Sequence, residues 1–146
     1  MSILILPNGE DFPAAAKKHL DDVTALIAAT RFDGASYLVG YVVECCLKSL
    51  IVLELGSRNW GPREGHDFHW LSSEVRRLAL ISGSRSARYL SGPVSSILTA
   101  SVATWMPSLR YRADGTSNAV TTNTWFTEAQ NLFKATISEM ILNGEA

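Results

Sequence analysis

Residues 37–55 read Tyr-Leu-Val-Gly-Tyr-Val-Val-Glu-Cys-Cys-Leu-Lys-Ser-Leu-Ile-Val-Leu-Glu-Leu, and fourteen of these nineteen are apolar. The run is long enough to cross a bilayer, but Glu44 and Lys48 interrupt it near its middle, where charge is expensive in hydrocarbon. It therefore reads as a buried core helix, and no membrane span is expected. Tyr37, Tyr41, Glu44 and Lys48 follow steps of four, three and four, which puts them on one stripe of a helix otherwise apolar. The stripe either lines a polar cleft or forms an i,i+4 ion pair on an exposed edge. A helix apolar nearly all round needs cover on every side, which suggests packing against a second subunit.

Outward from this helix, no segment alternates apolar and polar residues over strand length, so the class is all-α. Pro13 suits a first helical turn, and Ala16, Leu20, Val23 and Ile27 then recur on one face up to about Thr30, leaving Lys17, Lys18, Asp21 and Asp22 to solvent. Asp33 is the expected N-cap of the second helix, and Gly56 its stop. Residues 56–65, rich in glycine and polar groups, make a loop. Asp67 is placed to cap a third helix carrying Phe68, Leu71, Val75 and Leu78. Ser84 to Leu90 forms a separate turn. Gly92 and Pro93 open a fourth helix striped by Val94, Ile97, Leu98 and Val102 and ending before Pro107. The last helix follows the polar run 110–123, with Trp125, Ala129, Leu132, Phe133, Thr136, Ile137 and Met140 on one side and Gly144 just beyond it.

A chain of 146 residues with 47% hydrophobic and 18% charged residues fits one domain, 1–146, with residues 1–12 as an N-terminal arm. Met-Ser-Ile-Leu-Ile-Leu-Pro has no basic region and too short an apolar stretch for a signal peptide. Cys45 and Cys46, adjacent within an apolar run, suit neither a disulfide nor a zinc site and read as buried thiols of a reducing compartment. A cytoplasmic location is expected. His19, His66 and His69 lack metal-ligand spacing, and no metal or cofactor is expected.

The net charge is -1, yet residues 58–112 hold eight arginines (58, 63, 76, 77, 85, 88, 110 and 112) against Glu64, Asp67 and Glu74. Guanidinium forks match phosphate oxygens, so a basic middle third suits RNA, a nucleotide or an acidic partner if the arginines cluster; scattered, they are solvating charge. Arg110 and Tyr111, just beyond Pro107, are placed to hold a phosphate and stack on a base, or to lock their own loop. His66 with Asp67 is suited to proton transfer or to capping a helix and pinning a loop. The ligand-binding candidates are Arg110, Tyr111, Glu44, Lys48 and His66; no catalytic residue is assigned.

Four stretches taken together, Phe32-Asp33-Gly34-Ala35-Ser36-Tyr37-Leu38, Glu44-Cys45-Cys46-Leu47-Lys48, Gly65-His66-Asp67-Phe68 and Trp105-Met-Pro-Ser-Leu-Arg-Tyr111, resemble a bacterial HEPN domain (higher eukaryotes and prokaryotes nucleotide-binding) from about Pro13 to Ile141. The resemblance implies an up-and-down four-helix bundle with an additional short helix, commonly a homodimer with a cleft between subunits. Many such domains are RNA-cutting toxins or defence effectors encoded with a nucleotidyltransferase partner. Their metal-independent catalysis uses an arginine and a histidine separated by four to six residues. After Arg110 the corresponding positions hold Gly115, Thr116 and Ser117, so the ribonuclease motif is missing as written. A module that dimerises and binds a nucleotide, RNA or a nucleotidyltransferase is the expectation. A ribonuclease toxin using His66 as a displaced histidine and a structural dimerisation domain are the alternatives.

Overall fold

The computed structural model describes residues 2–57 and 64–146, and every regular element among them is helical. Arg58, Arg63 and most of the loop after Gly56 lie outside the described residues. Helix α1 spans Phe12–Ala28, α2 Phe32–Leu55, α3 Phe68–Ala79, α4 Pro93–Ser96, α5 Ala119–Phe133 and α6 Glu139–Leu142.

Each long helix starts on a side chain that satisfies backbone donors left free in its first turn, with one exception. Asp11 accepts from Ala14 N, Asp67 from His69 N and Trp70 N, and Asn118 from Thr121 N. The exception is α2, which begins at Phe32 with Arg31 at the cap position and no capping side chain. Asp33 does not cap it. The Asp33 carboxylate instead accepts from Gly115 N at 2.6 Å and Ser117 N at 2.7 Å, tying a distant loop to the head of α2.

Helix α2 is the axis of the molecule. Every residue from Val42 to Leu53 is buried, and α1, α3, α5 and the turn at 107–111 all pack on it. The chain thus supplies the cover that its apolar circumference demands, and the excess of apolar residues calls for no second subunit. Ser36 and Thr122, both buried, share a 2.7 Å hydrogen bond between α2 and α5. Cys45 and Cys46 are buried free thiols. Burial drives the Cys45 pKa strongly up and pushes that of Cys46 to about 12, so both stay protonated and unreactive near neutrality.

The fourth continuous helix expected over 93–106 does not form. A single α turn, α4, gives way to 3-10 turns at Ile97–Thr99 and Ser101–Thr104, with Ala100 extended between them. Ser96, Thr99 and Thr104 hydroxyls donate to carbonyls three or four residues back, competing with the helical ladder. Glu128 of α5 accepts from Ser101 N and Val102 N, the donors exposed by the break. The intended stripe still works in part: Val94, Ile97 and Val102 are buried.

The last rod starts at Ala119, earlier than the polar run suggested, and all seven residues of its predicted stripe are buried. A π turn at Lys134–Ser138 joins α5 to α6. Gly144 follows with φ +69, a conformation that favours glycine.

Candidate functional site

Glu44 and Lys48 lie one turn apart on α2, with Lys48 Nζ 2.7 Å from Glu44 Oε1. The pair is not on an exposed edge: Glu44 is 4% and Lys48 6% exposed. Burying two charges costs several kcal/mol per ion, on the order of what only close pairing and further hydrogen bonds recover. One further partner is His66. Its Nδ1 stands 2.7 Å from Glu44 Oε2, and since a carboxylate only accepts, Nδ1–H donates. A neutral His66 ring then carries its lone pair on Nε2, and its side chain is 43% exposed.

His66 reaches Glu44 because of two local features. The 3-10 turn Glu64–His66 ends in Asp67, which caps α3, so the imidazole is delivered from a fixed helix start. Phe68, two residues on, is buried and stacks on Trp105 with ring centroids 5.4 Å apart and planes 10° from parallel. Asp67 is thus the capping group, while the carboxylate that orients His66 comes from α2.

Tyr41, one helical step above Glu44, sits at the centre of an aromatic group. Its ring centroid is 6.0 Å from His66, 5.1 Å from Trp105 and 5.7 Å from His19. Its hydroxyl shares a 3.0 Å hydrogen bond with that of Tyr37. Burial, reinforced by Tyr37, raises the Tyr41 pKa well above the usual phenol value, which keeps the hydroxyl neutral. His19, half-buried on α1, has its pKa lowered by burial and by Lys18, and its Nδ1 has no hydrogen-bond partner among the described residues.

Arg110 closes the line. Tyr37 and Tyr111 beside it raise its pKa, and the guanidinium carbon lies 4.8 Å over the Tyr111 ring. Arg110 is exposed, and Tyr111 is 77% exposed. Side chains from three parts of the chain therefore run in order Lys48, Glu44, His66, Tyr41, Tyr37, Arg110 and Tyr111, from a buried ion pair to a solvent-facing cation on an aromatic ring.

All five sequence candidates fall on this line. Trp105 and Gly40, which position it, were not singled out. The only signal for Gly40 was a glycine inside an apolar helix, a sign of close approach by another group. By contrast, most of the described arginines of the middle third are paired with acids or bound to the backbone. Among the described residues Arg77 pairs with Glu74, Arg85 and Arg88 flank Glu145, and Arg76 donates to the Ser95 carbonyl. A groove of about 550 Å³ between the start of α1 and the π turn, lined by Pro13, Phe133, Ile137 and Ile141 among others, contains none of the candidates.

No helix among the described residues is long and apolar enough to cross a membrane, and no metal-ligating cluster is found among them. Comparison of the chain with protein-family models, curated proteins and solved structures gives no match.

Proposed function

We propose that the protein is a HEPN-like helical module that binds the phosphate of a nucleotide or RNA along the α2 stripe. Arg110 and His66 are its polar contacts and Tyr111 its stacking face. The supporting observation is the buried Glu44, which holds Lys48 and His66 at 2.7 Å each, with Tyr41 against the His66 ring and hydrogen-bonded to Tyr37 on the same stripe. A buried charge pair supporting an exposed imidazole and an exposed guanidinium resembles the supporting shell of a binding site more than a stabilising device. Glu44 and Lys48 are the foundation in this reading.

The test is titration of a labelled single-stranded RNA at several salt concentrations. Wild type binds with salt-sensitive affinity, and Arg110→Ala and His66→Ala each weaken binding by about tenfold or more, the worth of a charge-assisted hydrogen bond. Unchanged affinity in both variants overturns the assignment.

The Glu44–His66 hydrogen bond favours a second reading, a metal-independent ribonuclease in which His66 takes the proton from a ribose hydroxyl. Cleavage persisting in chelator, and abolished in His66→Ala and Arg110→Ala, supports it; full cleavage in both variants rejects it. Dimerisation, a nucleotidyltransferase partner and a role in a toxin-antitoxin or defence system rest on the family resemblance, because the chain itself covers α2.

A further inference from the structure

Trp105 is the point at which the three parts of the site meet. Its indole lies on α2 at Gly40, where a Cβ would stand 2.0 Å from indole carbons, so only glycine admits the ring. Its Nε1–H donates to the Tyr37 carbonyl at 3.0 Å, its ring stacks on Phe68 beside His66, and its edge meets Tyr41. The chain then turns at Pro107–Tyr111, carrying Arg110, and is held again where Asp33 accepts from Gly115 N and Ser117 N. Arg110 thus rides on a strap fastened to α2 on both sides, with few ways to move relative to His66.

We infer that Trp105 is a positioning residue that fixes the Arg110-bearing turn on α2, and with it the placing of Arg110, acting through Tyr37 and Gly40. The inference rests on the function proposed above but has a readout independent of it. An indole donor bonded to a mid-helix carbonyl is not needed merely to fill space, since phenylalanine in the Gly40 notch keeps the apolar contact and loses only the donor and part of the ring.

The experiment follows the Arg110 Nε–H resonance, and its cross-relaxation to the Tyr37 ring, in wild type, Trp105→Phe and Val23→Ala, the last a control for general destabilisation in α1. RNA affinity is measured in parallel, with Arg110→Ala and the Arg110→Ala/Trp105→Phe double variant. Trp105→Phe is expected to lose the Arg110–Tyr37 contact and weaken RNA binding about tenfold, while adding nothing in the Arg110→Ala background, as coupled residues do. Val23→Ala should keep the contact. An unchanged Arg110 resonance in Trp105→Phe, or a full further loss in the double variant, overturns the inference. Should Trp105→Phe not fold, Gly40→Ala displaces the indole from the other side and is read identically. If wild type binds no RNA, the proposed function falls while the Arg110 resonance still decides this inference.

Discussion

At Glu44 one carboxylate serves two partners with opposite exposures, Lys48 buried and His66 half in solvent. Removing it takes away the carboxylate 2.7 Å from a buried ammonium, so Glu44→Ala should cost about 3–5 kcal/mol in urea denaturation. The exposed Lys17–Asp21 pair has the same i,i+4 spacing, and Lys17→Ala should cost less than about 1 kcal/mol. Equal costs would contradict the difference in environment. Spacing in the sequence showed both pairs but could not rank them, because burial of Glu44 and Lys48 depends on neighbours from α1 and α3. The His66–Glu44 bond was invisible for a related reason: its partners are 22 residues apart, on either side of a loop. Asp67, adjacent to His66, offered a nearer carboxylate that the fold uses elsewhere.

Among the elements, those with strong apolar periods and local caps were legible. Helix α3 appears with its Asp67 cap and its four core residues, and the last rod buries its whole predicted stripe. Two elements were misread because a distant group decides them. Asp33 has the character of a cap, yet its oxygens are taken by Gly115 N and Ser117 N, which hold its pKa below the usual 3.8. A carboxyl lowered in the folded state contributes above its unfolded pKa and stops contributing as pH falls through the lowered folded value. The Gly115 and Ser117 amide protons should therefore shift together on acidification, with a midpoint below that of an ordinary aspartate, and should not titrate in Asp33→Asn. A midpoint at or above the ordinary value would contradict the tether. In the stretch 93–104, the apolar spacing suggested a helix, but Glu128 stabilises the broken form by accepting two backbone donors. Glu128→Ala should cost about 1–3 kcal/mol by leaving them unsatisfied. A cost near zero would show that water replaces the carboxylate.

For the molecule as a whole, the central position of α2 joins fold and site. From Val42 to Leu53 the helix is buried on all sides by its own chain, and the polar stripe that interrupts its apolar surface takes loop-borne His66 at Glu44 and the Trp105 indole at Tyr37. The arginine excess did not reveal how the arginines are spent: Arg77, Arg85 and Arg88 are answered by Glu74 and Glu145. What remains facing outward along the stripe is Arg110 on Tyr111, with the half-exposed His66 behind it. The most direct measurement is a titration of isotope-labelled protein with a short single-stranded RNA, followed by nuclear magnetic resonance. The account predicts that the largest changes centre on Tyr37, Tyr41, His66, the Trp105 indole and Arg110; changes centred on the groove between Pro13 and Ile137, or none at all, would contradict it.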